Sequence, residues 1–121
     1  MAHPPADALK GRHILVVEDE YFIANDVCRS VASHGGAVVG PVGTLREALD
    51  LLDNGQRIDG AVLDINLRGE LVYPVAERLE KSGVPYLFLT GYDAHVLPPE
   101  YSKVTRCEKP LAMQKVVAAL C

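Results

Sequence analysis

Several features that would identify a chemistry at once are scarce or missing in this chain. Its 121 residues include no tryptophan and only three cysteines, and no two cysteines stand in a C-x-x-C pair. We therefore expect neither a disulfide framework nor a zinc site, and a reducing compartment fits best. No segment approaches the ~18 consecutive apolar residues of a membrane-spanning helix, and the first residues lack the apolar segment of a signal peptide.

The chain also lacks an excess of positive charge. It has 12 Lys and Arg against 16 Asp and Glu, which gives a formal net charge of −4. A surface that binds nucleic acid or anionic lipid through its bulk charge is basic. The charge balance therefore predicts no nucleic-acid partner and no membrane partner, and it leaves protein partners open. The cysteine content and the missing signal peptide predict a cytoplasmic protein.

What the chain does contain is an alternation of short apolar runs and segments with apolar residues at helical spacing. The apolar runs predict five strands, at residues 13–17, 37–40, 61–66, 85–90 and 104–107. Among the helical patterns between and after them, the second begins with a capping box at Thr44 and Glu47 and the last begins at Pro110. The connection over residues 91–103 is the exception, because the proline pair that begins at Pro98 permits no long helix.

These elements predict an α/β fold, a single doubly wound (βα)5 domain of the flavodoxin-like type whose parallel sheet has the order 2-1-3-4-5. We expect the domain to span residues 12–121. A flexible lead-in at residues 1–11, rich in Pro and Ala, precedes it, and we expect no output domain. In such sheets a ligand binds beyond the carboxyl ends of the strands, where strands 1 and 3 part.

Polar residues stand at four of the five predicted strand ends. Glu18 and Asp19 follow strand 1, Asp64 belongs to the end of strand 3, Thr90 ends strand 4 and Lys109 follows strand 5. Taken singly, Asp64 and Thr90 are common helix caps and Lys109 is an ordinary surface lysine. The fold brings all of them to one edge, where crowded carboxylates repel one another unless a cation neutralises them. Oxygen ligands without sulfur or imidazole favour Mg²⁺, with Mn²⁺ as a substitute.

An aspartate held against a metal ion, a hydroxyl and an ammonium has the groups needed to accept a phosphoryl group. Asp64 would be the acceptor, Lys109 and the metal would balance its charge, and Thr90 would donate a hydrogen bond. Gly91, which follows Thr90, leaves room for phosphate oxygens.

This ordered set resembles the receiver domain of bacterial two-component response regulators over nearly the whole chain. The matching motifs are Val-Val-Glu-Asp-Glu at the first strand end, Leu-Asp-Ile-Asn-Leu at the third, Leu-Thr-Gly at the fourth and Glu-Lys-Pro after the fifth. The resemblance implies that Glu18, Asp19, Asp64 and the backbone carbonyl of Asn66 hold the metal. It also implies a cis peptide bond before Pro110.

Two departures from the family pattern concern the output of the signal. Arg68 stands where most receivers have proline, and Arg106 stands where most have an aromatic switch residue. An aromatic instead follows the threonine at Tyr92, in a Phe-Leu-Thr-Gly-Tyr sequence that resembles the FATGUY subfamily of receivers, which are usually stand-alone domains. The resemblance therefore places the switch at Thr90, Gly91, Tyr92 and Arg106, with Tyr92 as the candidate replacement for the usual aromatic.

The resemblance implies a single-domain response regulator rather than an enzyme. A histidine kinase or a histidine phosphotransfer protein would phosphorylate Asp64. The product would signal to an unknown protein partner or act as a phosphate sink, as a monomer or a phosphorylation-dependent dimer.

Three alternatives remain open at this point. A phosphatase with an aspartyl nucleophile would need a second acid where Asn66 stands. A flavin-binding module would need small residues to hold a phosphate, where residues 18–20 are three acids that repel one. A pseudo-receiver would keep the fold without accepting phosphate.

Overall fold

The computed structural model describes residues 4–91 and 97–121. Within these ranges the chain forms seven strands, four α-helices and one short 3-10 helix. In chain order they are β1 (His13–Val17), α1 (Tyr21–Ser33), β2 (Ala37–Val42), α2 (Leu45–Asp53), β3 (Gly60–Asp64), β4 (Asn66–Leu67), β5 (Glu70–Leu71), α3 (Tyr73–Lys81), β6 (Tyr86–Thr90), the 3-10 helix (Pro99–Tyr101), β7 (Arg106–Glu108) and α4 (Met113–Leu120).

The main sheet has five parallel strands in the described residues, in the order β2-β1-β3-β6-β7. Because β4 and β5 form a separate hairpin, this order is the 2-1-3-4-5 order expected from the sequence. The predicted fold and strand order are confirmed.

Side chains of the central strands alternate between two apolar cores. Leu15 and Val17 of β1 pack in the core that also contains residues of α2 and α3, whereas Ile14 and Val16 pack with residues of α1 and α4. Strands β3 and β6 are buried along their whole length in the same way. A strand covered on both faces must be apolar throughout, which explains the continuous apolar runs in the sequence.

The bounds of several elements differ from the prediction. Strand β2 continues through Pro41 to Val42, which is possible because β2 lies at an edge of the sheet, where a missing backbone N–H leaves no partner unsatisfied. Helix α4 begins at Met113 and not at Pro110, because Ala112 before it still has extended backbone angles. Strand β7 likewise occupies 106–108 where 104–107 was expected.

The hairpin of β4 and β5 was not predicted beyond a turn. Its two-residue loop is Arg68-Gly69, and both residues have positive φ, 53° and 96°. Two consecutive residues of this kind make the tight loop that matches the twist of antiparallel strands. The Asn66 side chain accepts a hydrogen bond of 2.6 Å from the Gly69 N–H and closes the loop.

The described part of the connection between β6 and β7 contains one short 3-10 helix, Pro99–Tyr101, and no long helix, while residues 92–96 lie outside the described residues. Tyr101 is only 6% exposed. Its ring stacks on Tyr73 at a centroid distance of 5.1 Å and meets Phe88 edge-on. The end of this connection is therefore held by an aromatic cluster.

The lead-in is a correction to the sequence-based prediction. Leu9 is fully buried in the core beside α1 and α4, and its backbone N–H donates to the His34 carbonyl at 2.8 Å. The Arg12 guanidinium donates to the Leu120 carbonyl at 3.5 Å. Pro and Ala content indicated a loose segment, but the burial of Leu9 anchors it to the domain, while residues 5–7 and 10–11 stay exposed.

In residues 4–91 and 97–121, every helix is too short or too polar to cross a membrane.

Replacing Leu9 with alanine tests this packing. We expect Leu9→Ala to lower the free energy of unfolding by about 2–4 kcal/mol, because it leaves a cavity in a closed core. Leu71→Ala is the matched control: Leu71 is 46% exposed, and we expect a change of about 0.5 kcal/mol or less. Urea unfolding of both variants decides the question, and equal small losses would contradict the observed packing of Leu9.

Candidate functional site

The residues predicted from the strand ends lie together at the carboxyl edge of the sheet. Glu18 and Asp19 follow β1, and the Glu18 N–H donates to the Val42 carbonyl of β2 at 2.9 Å. Asp64 is the last residue of β3, the neighbour of β1. Lys109 follows β7, and its N–H donates to the carbonyl of Thr90 at 3.0 Å. Adjacent parallel strands thus carry these side chains to one place.

The Lys109 ammonium connects two of the acids. Its Nζ lies 2.7 Å from Glu18 Oε1 and 3.6 Å from Asp64 Oδ2. The Glu18 side chain is completely buried and that of Lys109 is 20% exposed. An ion pair this close is stronger in a buried setting than at the surface, because the local dielectric constant is lower.

Glu18, Asp19 and Asp64 form a group of three carboxylates in the described part of the chain. Each offers one oxygen, and these oxygens all lie within 4.8 Å of one another. Arg68 adds a second positive charge, since its Nε lies 3.4 Å from Asp19 Oδ2. Three carboxylates give −3 and the two cations give +2, so the site carries −1 when all are ionised. Hard oxygen donors with residual negative charge suit a divalent cation such as Mg²⁺.

The pKa of Asp64 is raised from its ordinary value of 3.8 to about 8. Burial is the largest cause, and the hydrogen bond and negative charge of Glu18 add to it, while the charge of Lys109 acts in the opposite direction. Burial also acts to raise the pKa of Asp19, but hydrogen bonds with Glu18 and Asp64 outweigh it, so that pKa is lowered. In the absence of a bound cation Asp64 therefore tends to hold a proton.

The pKa of Lys109 is raised. Burial acts to lower it, but the hydrogen bond with Glu18 and the charges of Asp64 and Glu18 prevail. The ammonium consequently stays charged across the physiological range.

Thr90 and Gly91 border an open groove of about 1100 Å³ that runs between α1 and residues 108–111. Thr90 is 9% exposed. A Cβ atom at Gly91 would meet no other atom within 4 Å, so the space beside Thr90 is open to a ligand. Lys109 also lines this groove and links it to the carboxylates.

Asn66 stands in the β4–β5 hairpin. Its backbone N–H donates to Asp64 Oδ1 at 3.4 Å, and its side chain is engaged in the loop. The predicted role of its carbonyl as a metal ligand stays a prediction. The Asn66 side chain accepts a hydrogen bond from the Gly69 N–H within the loop. Because it is an amide, it cannot act as the second acid that an aspartyl phosphatase would need.

Arg106 and Tyr92 are the remaining predicted switch residues, and their roles in the switch stay predictions. Arg106 lies exposed on β7, opposite Phe88 in the register with β6. Tyr92 lies outside the described residues, so its role as replacement for the usual aromatic stays a prediction. The peptide bond between Lys109 and Pro110 is cis, as the resemblance implied.

Sequence reasoning missed two residues of interest. Arg68 was noted only as a departure from the family pattern, and its contact with Asp19 was not expected. Tyr101 was assigned to a loose connection. No local pattern marks Tyr101 for burial, because its contacts come from Tyr73 and Phe88, which are distant in the sequence.

Comparisons with known proteins agree on one fold. No family model matches the sequence. SdrG from Sphingomonas melonis Fr1 is 37% identical, with a TM-score of 0.80 over 93% of this chain and 94% of that one. The BeF3-activated conformation of SdrG, from Pseudomonas melonis Fr1, is 36% identical, with a TM-score of 0.72 over 89% and 92% of the two chains.

Two more distant relatives carry informative names. A response regulator receiver protein from Sinorhizobium medicae WSM419 shares the fold, with 23% identity and a TM-score of 0.75 over 93% of each chain. The uncharacterized transcriptional regulatory protein YbdJ of Bacillus subtilis strain 168 is 28% identical over 85 residues, which are 69% of this chain. The match spans only 36% of the length of YbdJ.

The raised pKa of Asp64 predicts a pH-dependent stability in the metal-free protein. The folded state holds a proton on Asp64 up to a pH of about 8, whereas the unfolded chain loses it near 3.8. Because the folded state binds more protons in that window, the contribution of Asp64 to stability falls as the pH rises through it.

Asp64→Asn removes this titration. We therefore expect the variant to gain stability relative to the unsubstituted protein as the pH is raised from about 5 to about 8, and each unit of pKa shift is worth about 1.4 kcal/mol. Urea unfolding in the presence of a chelator measures the difference. Asp50→Asn, at an exposed position of α2, is the control and should show no such trend. A constant difference for Asp64→Asn would contradict the raised pKa.

Proposed function

This chain belongs to the receiver domain family of response regulators, and on that premise we propose that it is a phosphorylation switch whose acceptor is Asp64. Receiver domains are signalling domains rather than enzymes. One observation carries the proposal: Asp64 is a buried carboxylate at a strand end, 3.6 Å from the Lys109 ammonium and grouped with Glu18 and Asp19.

The chemistry follows from those neighbours. An oxygen of Asp64 attacks the phosphorus of a phosphohistidine, the P–N bond breaks, and the imidazole leaves. Only the ionised carboxylate is nucleophilic, and a divalent cation held by Glu18, Asp19, Asp64 and the Asn66 carbonyl would favour that form and balance the phosphoryl charge. Mg²⁺ is the expected ion and Mn²⁺ a substitute.

Thr90 and Lys109 turn the modification into a conformational change. Phosphorylation adds about −1.5 to −2 charges at neutral pH. The Lys109 ammonium, now on Glu18, moves to the phosphoryl oxygens, and the Thr90 hydroxyl donates to them. Because the backbones of these two residues are hydrogen-bonded, their movement biases the β6–β7 connection, in which Tyr92 is the candidate output residue and Tyr101 the fixed end.

The surface beside the site is suited to a protein donor. Tyr21 and Phe22 at the start of α1 are 71% and 75% exposed, immediately after the acidic residues. The groove between α1 and residues 108–111 leads from there to Thr90 and Lys109. A histidine kinase or a histidine phosphotransfer protein is the donor we propose, in the cytoplasm.

We propose that the phosphorylated domain signals to a second protein or that it acts as a phosphate sink. We propose a receiver of the FATGUY type that acts as a monomer or as a phosphorylation-dependent dimer. The BeF3-activated conformation of SdrG supports the switch, since beryllofluoride resembles a phosphoryl group and that relative is 36% identical.

Acetyl phosphate tests the acceptor directly. In the presence of Mg²⁺ we expect the intact protein to gain the mass of one phosphoryl group, and we expect Asp64→Asn to abolish the gain. The adduct should be lost on treatment with hydroxylamine, because an aspartyl phosphate is an acyl phosphate. Asp50→Asn, an exposed aspartate of α2, is the matched control and should be phosphorylated normally.

Three outcomes would contradict the proposal. An unmodified wild-type protein would indicate a pseudo-receiver, and an undiminished adduct in Asp64→Asn would place the acceptor elsewhere. Continued turnover of a phosphate ester that depends on Asp64 would favour a phosphatase.

A further inference from the structure

We propose that Arg68 is a built-in counter-cation that competes with the divalent metal for Asp19 and so sets the metal affinity of the site. This inference rests on the metal site of the proposed function. It gives a role to Arg68, which stands at the position where the family resemblance leads us to expect proline.

A single ion pair joins Arg68 to Asp19. Arg68 Nε lies 3.4 Å from Asp19 Oδ2, and Asp19 is the most solvent-accessible carboxylate of the metal group, at 18% of its side chain. Glu18 and Asp64 are already partnered with Lys109. The two described cations of the site are thus divided between the carboxylates, with Arg68 on the one that Lys109 does not contact.

The β4–β5 hairpin fixes the position of the Arg68 backbone. Its base is tied to the acceptor, because the Asn66 N–H donates to Asp64 Oδ1 at 3.4 Å. Its loop is closed by the bond of 2.6 Å from the Gly69 N–H to the Asn66 side chain. Arg68 occupies a loop position with φ of 53°, which Asn, Asp or Gly would fill with less strain. The contact of its side chain with Asp19 accounts for an arginine at this loop position.

The arginine can leave without cost to the core. Its side chain is 82% exposed, so displacement breaks one ion pair and uncovers little surface. A divalent ion bound to Asp19 would stand close to the guanidinium and repel it. Metal binding therefore includes the loss or weakening of the Arg68–Asp19 pair, and the apparent affinity is reduced by the stability of that pair. Exposed ion pairs change an equilibrium by about two- to fivefold.

Direct metal titration tests the competition. Mn²⁺ is the probe, with free Mn²⁺ measured by electron paramagnetic resonance, so the readout does not depend on phosphorylation. We expect Arg68→Gln to bind Mn²⁺ about two- to fivefold more tightly than the unsubstituted protein. Arg68→Lys keeps the charge and should lie close to the unsubstituted protein. The gain in Arg68→Gln should shrink as salt is added, since the interaction is exposed.

Lys81→Gln is the matched control for net charge. Lys81 is 72% exposed, similar to Arg68 at 82%, and pairs with Glu77 on another element, α3, at 3.0 Å. It should leave the Mn²⁺ affinity unchanged. Thermal unfolding gives a second readout: Mn²⁺ should raise the midpoint of Arg68→Gln more than that of the unsubstituted protein, because the variant gains more from the ion.

The outcomes separate this inference from the function on which it rests. Equal affinities for Arg68→Gln and the unsubstituted protein, or weaker binding by the variant, overturn the competition and leave the metal site standing. Failure of the unsubstituted protein to bind Mn²⁺ overturns both. An equal gain in Lys81→Gln would assign the effect to net charge and would also overturn the role of Arg68.

Discussion

Three carboxylates lie together at the carboxyl edge of the sheet and the half-buried Lys109 ammonium contacts only two of them, and the structure of the site follows from that constraint. Lys109 reaches Glu18 and Asp64 but leaves Asp19 to the exposed Arg68. The described side chains therefore do not neutralise the group, and burial together with the neighbouring Glu18 raises the pKa of Asp64 to about 8. A divalent cation would balance the remaining negative charge of this site. A phosphoryl group on Asp64 would then attract the Lys109 ammonium away from Glu18. A phosphoacceptor that signals through the position of its lysine needs both steps.

The fold supplies the constraint through burial. Strands β1, β3 and β6 are covered on both faces, so their polar residues are confined to their ends. The parallel arrangement brings those ends to one edge, and the bond between Lys109 N–H and the Thr90 carbonyl fixes the last two strands there. Packing thus determines which charges meet, while the balance of their charges determines what the site can bind.

Much of this arrangement could be predicted from the sequence, because the sequence marks both the buried strands and their ends clearly. Continuous apolar runs such as 13–17 identify buried strands, and a polar residue directly after each run marks a strand end. The parts that could not be predicted have short or isolated signals. The β4–β5 hairpin has two-residue strands, too short for any periodicity, and Leu9 is a single apolar residue among prolines and alanines. Tyr101 is buried by tertiary contacts with Tyr73 and Phe88 that no local pattern encodes.

The position of Lys109 in the activated state tests the central claim most directly. The measurement is a crystal structure of the protein with Mg²⁺ and beryllofluoride. The account predicts beryllium bonded to an oxygen of Asp64, Mg²⁺ on Glu18, Asp19 and Asp64, and Lys109 Nζ moved from Glu18 to a fluorine atom. A structure with beryllofluoride bound at Asp64 and Lys109 still at 2.7 Å from Glu18, or with beryllofluoride at another residue, would contradict it.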